Sequence, residues 1–122
     1  MRVLVLGGTG YIGARLCASM KASGWATPVC ASRHGGPHAM RLDTCDEAAL
    51  AHALRQVDAV VHCVAGSAQA IAQGAQVLAR AAATAKVLAV VHLSSMAVYG
   101  DREGRVDEAT PLLPARAWYG RA

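Results

Sequence analysis

Short apolar runs along the chain predict its strands. The strongest runs are rich in Val and Leu and almost continuously apolar, a pattern typical of strands buried on both faces of a sheet. They occupy residues 2–6, 58–64 and 87–93. Residues 29–31 predict a further strand, bounded by Pro28 and by the glycine-containing loop 33–36, and residues 39–42 predict a short one.

Between these runs, apolar residues recur at helical spacing. The segment from Ile12 to Met20 predicts a first helix, which Gly24 ends. Thr44 and Glu47 have the spacing of a capping box and predict the start of a second helix. The alanine-rich stretch 68–85 predicts a third helix, with its larger apolar residues along one side.

Strands that alternate with helices of this length predict an α/β fold with a parallel sheet. We expect a Rossmann-type strand order of 3-2-1-4-5, truncated before the last strands of a complete six-stranded fold. Residues 1–122 would then form one domain that is incomplete at its C-terminus. Its last strand would present an exposed apolar edge, so we expect the chain to form a homo-oligomer or to be poorly stable.

Composition narrows the class of protein. Hydrophobic residues make up 54% of the chain and charged residues 16%, which excludes intrinsic disorder. No apolar run approaches the roughly 20 residues that cross a bilayer, and the run before the first glycine is too short for a signal peptide. We therefore expect a cytoplasmic protein with no membrane association. The net charge of +4 is carried by scattered arginines and aromatics are only 4%, so nucleic acid binding has no support.

Cysteine and histidine usage suggests no disulfide framework and no metal site. The four cysteines are widely spaced, and without a secretory signal we expect free thiols that pack as small hydrophobic residues. The five histidines lack metal-ligand spacing. His62, in the middle of a predicted strand, is expected to be a hydrogen-bonded core residue rather than a catalyst.

The first predicted strand runs directly into a glycine motif. Residues 8–13 fit G-x-G-x-x-G, and the glycines at 7, 10 and 13 also fit G-x-x-G-x-x-G. The match gains weight because it follows a strand and opens a helix, where backbone N–H groups can face a pyrophosphate. An ordinary structural turn is the alternative. The expected contacts to a nicotinamide dinucleotide are Gly7, Gly10, Tyr11, Ile12 and Gly13.

Residues about 20 positions beyond the motif favour one form of that cofactor. An NAD site would place Asp or Glu there to hold the ribose hydroxyls. This chain instead has Ser32, Arg33 and His34, and no acidic residue precedes Asp43. Because a guanidinium can bind a 2′-phosphate through two parallel hydrogen bonds, Arg33 favours NADP(H) over NAD(H). A solvated loop arginine is the alternative.

Further motifs follow the glycine motif in a fixed order along the chain. Together they are Gly7–Gly13, Leu42-Asp43, Asp58–Ala65, Gly74 with Val77-Leu78, Ser94–Gly100, Glu108, Pro111, Pro114 and Tyr119-Gly120. In this order they resemble the extended short-chain dehydrogenase/reductase family of the NAD-dependent epimerase/dehydratase type. The resemblance covers essentially the whole chain, and several motifs in the right order are more specific than any one of them.

The resemblance implies roles for residues in the cofactor site. Asp43 would contact the adenine, although from the residues alone it could equally be a loop acid before the Thr44 cap. Val64, Ala65 and Gly66 would line the cofactor beneath the nicotinamide ribose. The expected binding partner besides the cofactor is a small-molecule substrate, with nucleotide sugars a frequent class in the family.

The resemblance also implies two catalytic residues. Ser95 would hold the substrate oxygen by a hydrogen bond, and Tyr119 would exchange the proton on that oxygen while a hydride moves to or from the nicotinamide. The family pattern is Tyr-x-x-x-Lys, and its lysine would follow directly after Ala122. An enzymatic function is therefore expected if the native chain continues past that residue.

Two classes of function stay open. The chain could be the NADP(H)-binding portion of an oxidoreductase or epimerase that acts at a carbon bearing a hydroxyl or carbonyl group. It could instead be a non-catalytic nucleotide-binding or regulatory module, or a truncated remnant without turnover. The sequence does not define the substrate or choose among epimerisation, dehydration and carbonyl reduction.

Overall fold

A computed structural model of the chain describes residues 1–112. Within that part, five strands form one parallel sheet in the spatial order β3-β2-β1-β4-β5. This confirms the predicted α/β class and the Rossmann-type order 3-2-1-4-5. The strands are β1 (Arg2–Leu6), β2 (Thr27–Ser32), β3 (Met40–Arg41), β4 (Ala59–His62) and β5 (Ala89–His92).

Helices connect most of these strands. The helices are α1 (Tyr11–Ser23), α2 (Glu47–Leu54) and α3 (Ala68–Ala85), followed by a 3₁₀ turn at Met96–Tyr99. Gly24 ends α1 as predicted: its φ is 70°, and its N–H donates to the Met20 carbonyl at 3.0 Å. A left-handed residue at this point is typical of helix ends, where glycine adopts it without strain.

The predicted start of α2 was wrong. Thr44 is not the cap; Asp46 is, and its side chain accepts a hydrogen bond from the Ala49 N–H at 3.0 Å. Thr44 is buried instead, and its hydroxyl lies beside Gly74 of α3. The capping-box spacing misled because Asp is an equally good N-cap residue and lies closer to the first helical turn.

Strand β2 extends further than the sequence predicted, because Pro28 lies inside it and not at its edge. Pro28 pairs with Val3 of β1, whereas β3 pairs only with Ala31 and Ser32. The preceding residue, Thr27, donates its N–H to the carbonyl oxygen of Met1, just before β1. Because successive N–H groups of a strand point to opposite sides, the nitrogen of Pro28 points away from β1. On that side β2 is locally an edge, where a proline nitrogen costs no ladder hydrogen bond.

The sheet is buried on both faces along β1. Leu4 and Leu6 pack toward α2 and α3, while Val3 and Val5 pack toward α1. All four side chains are at most 2% exposed, as expected for the central strand of a two-sided sheet. Strand β5 differs, because all four of its residues are exposed in the described part of the chain.

The prediction of free thiols was wrong for two of the four cysteines. Helix α1 packs on β2 so that the Cα atoms of Cys17 and Cys30 lie 6.6 Å apart, and their sulfurs form a disulfide. Nothing in the spacing of these two residues indicated this pairing, since it arises from the packing of a helix on a strand. Cys45 and Cys63 are free and half-buried. Over residues 1–112, none of the helices combines the length and apolar character needed to cross a membrane.

Candidate functional site

The glycine loop between β1 and α1 is packed too tightly for a side chain at Gly7 or Gly13. Gly7 has a φ of +78°, and a Cβ there would lie 2.7 Å from the Cys63 carbonyl oxygen. A Cβ on Gly13 would overlap the carbonyl oxygen of Gly7. The loop is closed by a hydrogen bond from the Gly10 N–H to the same oxygen at 2.9 Å. Glycine is therefore required at positions 7 and 13 for α1 to approach β1 this closely.

Helix α1 begins at the carboxyl edge of the sheet without a side-chain cap, because its N-cap residue is Gly10. The first N–H groups of a helix have no intrahelical partner, so this end is open to an anionic ligand. Tyr11 and Ile12, in the first turn, are exposed. The guanidinium of Arg15 lies 3.7 Å from the centre of the Tyr11 ring and donates to the Tyr11 carbonyl at 2.9 Å.

A cavity of about 500 Å³ lies beside this loop, at the carboxyl ends of β1, β2 and β4. In an open parallel sheet, ligands bind at this edge, where neighbouring connections leave a crevice. Of the residues predicted to bind a cofactor, six line this cavity. They are Gly7, Arg33, Asp43, Val64, Ala65 and Gly66.

Arg33 and His34 are held on the cavity wall by a tight turn at the end of β2. The N–H of Gly35 donates to the Ser32 carbonyl at 3.1 Å, and the Ser32 hydroxyl donates to the Gly35 carbonyl at 3.2 Å. Gly35 has a φ of +69°, which glycine adopts without strain. The turn therefore places the guanidinium of Arg33 and the imidazole of His34 at one end of the cavity.

Asp43 lies on the same cavity in a short turn of its own. Its Oδ1 accepts a hydrogen bond from the Cys45 N–H at 2.9 Å, which fixes the carboxylate at the cavity wall. The two alternatives that the sequence left open for Asp43 are therefore compatible, because it is a loop acid before α2 and also lines the cavity. Its second oxygen is the one available to a ligand.

Ser95 lies in a smaller cavity of about 160 Å³, together with His92, Ser94 and the 3₁₀ residue Val98. Val64 lines both cavities, so the two adjoin. The Ser95 hydroxyl oxygen accepts from the Ala97 N–H at 3.2 Å, and within residues 1–112 its own O–H has no acceptor, so it can donate to a ligand. The predicted partner of Ser95, Tyr119, lies outside the described residues.

His62 is a core residue but, within residues 1–112, it is not hydrogen-bonded as predicted. It is 1% exposed, and neither ring nitrogen has a hydrogen-bond partner in that part of the chain. Burial, and then the neighbouring His92, lowers the pKa of His62 from 6.5 to about 4, so the ring is neutral at pH 7. Burial also raises the pKa of Cys63, so this thiol is protonated and not nucleophilic at pH 7.

Sequence reasoning missed several residues of the larger cavity. Thr9 lies within the glycine motif and Ser32 directly precedes Arg33, so the sequence indicated their positions but gave neither a role. The sequence gave no indication for Cys45, Ser67 and Ala70, because they reach the cavity wall only through the packing of the N-terminal ends of α2 and α3.

The five-stranded parallel sheet, with a glycine loop and a cavity at its carboxyl edge, defines a Rossmann domain. Residues 3–122 match the sequence model of the NAD dependent epimerase/dehydratase family, and the chain belongs to that family. No curated protein matched the chain.

Similar solved structures agree with the fold. A UDP-glucose 4-epimerase from Bifidobacterium longum, in complex with NAD+ and UDP, is 20% identical with a TM-score of 0.85, covering 98% of this chain and 45% of the epimerase. A UDP-N-acetylglucosamine 4-epimerase from Bacillus cereus is 27% identical with a TM-score of 0.82, covering 98% and 46%. A dTDP-glucose 4,6-dehydratase from Streptomyces venezuelae, with NAD bound, is 28% identical with a TM-score of 0.77, covering 93% and 46%. The chain spans less than half the length of these relatives.

Proposed function

We propose that residues 1–122 are the NADP(H)-binding domain of an oxidoreductase or epimerase that transfers hydride at a carbon bearing a hydroxyl or carbonyl group. The observation that carries this proposal is the cavity of about 500 Å³, in which residues distant in sequence come together beside the glycine loop. Its volume falls in the range typical of small-molecule sites, roughly 300–1,000 Å³. Membership of the NAD dependent epimerase/dehydratase family supports a nicotinamide dinucleotide as the ligand.

The geometry suggests how the dinucleotide lies. The pyrophosphate would face Gly10 and the open start of α1, with Tyr11 and Ile12 beside it. The adenosine would occupy the end of the cavity that bears Arg33 and Asp43. The nicotinamide ribose would pass over Val64, which borders the Ser95 cavity. This orientation brings the reactive ring next to the candidate catalytic hydroxyl.

Preference for NADP(H) over NAD(H) rests on this chain's own residues, since the solved relatives with a stated cofactor hold NAD. Arg33 and His34 both line the end of the cavity where the adenosine ribose would lie. A guanidinium binds a phosphate dianion through paired, charge-assisted hydrogen bonds, and no carboxylate replaces it in this turn.

Arg33→Asp tests this preference. We expect NADPH affinity to fall by about tenfold or more, with NADH affinity changed much less, because only NADPH carries the 2′-phosphate. Arg55→Asp is the matched control, because it makes the same charge change at the C-cap of α2, and Arg55 is not among the residues that line the cavity. Unchanged NADPH affinity in Arg33→Asp would refute the preference.

Catalysis is proposed to use two hydroxyls. The bound nicotinamide supplies hydride transfer. Ser95 would donate its O–H to the substrate oxygen, and Tyr119 would exchange the proton on that oxygen. A tyrosine has an ordinary pKa of about 10, so this role needs a nearby positive charge that stabilises the phenolate.

The proposed substrates are nucleotide sugars, the class named for two relatives that are 27% and 28% identical. In the full-length protein, Tyr119→Phe should lower kcat by about 10²-fold or more while NADPH affinity stays within about twofold of wild type. Unchanged kcat in this variant would remove Tyr119 from the mechanism. NADPH binding without turnover of any nucleotide sugar would favour the non-catalytic module instead.

The cytoplasmic location stays a prediction.

A further inference from the structure

The Cys17–Cys30 disulfide joins the two elements that frame the glycine loop. Cys17 lies on the buried side of α1, one turn after Gly13, and Cys30 lies on β2. Gly13 packs against the Gly7 carbonyl so closely that no Cβ fits between them. Any movement of α1 relative to β2 therefore changes the position of the loop that would hold the pyrophosphate.

The β2 end of the disulfide contacts the same loop directly. A Cβ built on Gly8 would lie 2.9 Å from the Cys30 Cβ, so the loop backbone rests against this cysteine. The N–H of Gly8 also donates to the carbonyl of Ala31, the next residue on β2, at 2.8 Å. The disulfide thus links α1 to β2 covalently, and both elements contact the glycine loop.

A second cavity, on the α1 side of the sheet, gives access to the disulfide. It has a volume of about 350 Å³ and lies between α1 and the loop 36–39, with both cysteines in its lining. Cys17 is 5% exposed and Cys30 is half-buried, so an incoming thiol meets the Cys30 sulfur more readily. Lys21 lines the same cavity, and a nearby ammonium stabilises thiolates.

We propose that Cys17 and Cys30 form a thiol–disulfide exchange site that controls dinucleotide affinity, with a small dithiol as its reductant. A thiolate of the dithiol attacks the Cys30 sulfur, the protein S–S bond breaks, and Cys17 leaves as a thiolate that takes up a proton. The second thiol of the reductant then attacks the mixed disulfide and releases Cys30 as a thiol. Two electrons and two protons pass to the protein, and the dithiol becomes a disulfide.

Reduction weakens cofactor binding because, without the covalent link, α1 and β2 are less ordered before binding, and ordering them when the ligand binds costs free energy. The inference rests on the proposed function, since it concerns the affinity of that same site. NADPH affinity is measured by nicotinamide fluorescence on the whole chain, once as oxidised protein and once after reduction with dithiothreitol. We expect the Kd to be at least about fivefold higher in the reduced form.

Two cysteine variants separate this effect from general thiol chemistry. Cys17→Ser/Cys30→Ser should show one NADPH affinity whatever the treatment, because it has no disulfide to open. Cys63→Ser should keep the ratio between oxidised and reduced forms, because it removes a free thiol that does not line the cofactor cavity and leaves the disulfide in place. Alkylation of unfolded wild-type protein followed by mass measurement gives an independent count: two labels in the oxidised form and four in the reduced form.

The outcomes are distinguishable. Equal NADPH affinity in the oxidised and reduced wild-type forms would overturn the exchange site while leaving the proposed function intact. Four labels on the oxidised form would overturn the pairing itself. Absence of NADPH and NADH binding in both forms would overturn the proposed function, and the exchange site with it. A fivefold difference that disappears in Cys17→Ser/Cys30→Ser supports both.

Discussion

The imidazole rings of His62 and His92 stack with their centroids 4.9 Å apart and their planes inclined by 23°, because the two residues pair in register on β4 and β5. His62 is enclosed between this ring and α3, where its Nε2 lies 3.9 Å from the position a Cβ would take on Gly74. Protonating His62 would place a charge against the His92 ring, in a site where the described residues offer no hydrogen-bond acceptor for it.

The stacked pair predicts acid sensitivity. The pKa of His62 falls from 6.5 to about 4 on folding, so between these values the unfolded chain binds a proton that the folded chain does not. Stability is therefore greatest above pH 6.5 and declines as the pH falls toward 4. Because the side chain is 1% exposed and little screened, we expect the free energy of unfolding to drop by about 2 kcal/mol between pH 7 and pH 5.

Urea denaturation of His62→Phe measures this contribution, since Phe keeps a flat ring in the stack. The variant should lose most of the difference in unfolding free energy between pH 7 and pH 5. His52→Gln is the matched control, because His52 is exposed on α2 and its hydrogen-bond partners among residues 1–112 are Arg55 and Gln56, next to that helix. Equal pH dependence in wild type and His62→Phe would contradict the assignment.

Gly7→Ala should destabilise the chain and abolish dinucleotide binding. The added Cβ would lie 2.7 Å from the Cys63 carbonyl oxygen, at a φ of +78° that L side chains rarely adopt. We expect a loss of about 2 kcal/mol or more, measured by thermal or urea denaturation. Gly66→Ala is the control, because a Cβ at Gly66 has open space, and its stability should stay within about 1 kcal/mol of wild type.

Asp46→Ala should cost about 1 kcal/mol of stability through loss of the cap of α2. The carboxylate accepts from the Ala49 N–H at 3.0 Å, a bond that alanine cannot replace. Asp46→Asn retains a side-chain oxygen in the same place and should be close to wild type. The same loss in both variants would show that the charge, and not the cap, is what α2 requires.

The exposed strand β5 should drive self-association of the 122-residue chain. Val90 and Val91 are 47% and 52% exposed, on a strand that has β4 on one side only in the described structure. Val91→Lys should shift sedimentation velocity profiles toward monomer, because a charged residue on an edge strand opposes pairing with another edge. Thr84→Lys, which adds the same charge on α3, should leave the distribution unchanged. A wild-type chain that is monomeric at all concentrations would contradict the expectation.

The glycine loop was readable from local sequence pattern, and the strand order followed from the alternation of strands with helices together with the general rule for such folds. The apolar run 2–6 must be buried on two faces, and a strand–glycine–helix order has few other uses. Limits of elements were less predictable. Pro28 predicted a strand boundary, but it is tolerated inside β2 because β3 is too short to pair with it.

The parts of the site that were not predicted depend on contacts between distant segments. Cys45 reaches the larger cavity through the turn that Asp43 closes, and its Sγ lies 4.0 Å from the Ala70 carbonyl of α3. The Cys17–Cys30 bond and the stacking of His62 on His92 likewise need the packed structure. The spacing of these residues along the chain does not predict their contacts. The position of Arg33, in contrast, could be predicted from the number of residues that separate it from the glycine motif.

Titration of the wild-type chain with NADPH and with NADH, followed by nicotinamide fluorescence, is the most direct test of dinucleotide binding in the cavity. We expect saturable binding of both nucleotides at one site per chain, with NADPH bound about tenfold more tightly because its 2′-phosphate would meet Arg33 and His34. Tighter binding of NADH would contradict the NADP(H) preference. Absence of saturable binding for either nucleotide would contradict the assignment of the cavity itself.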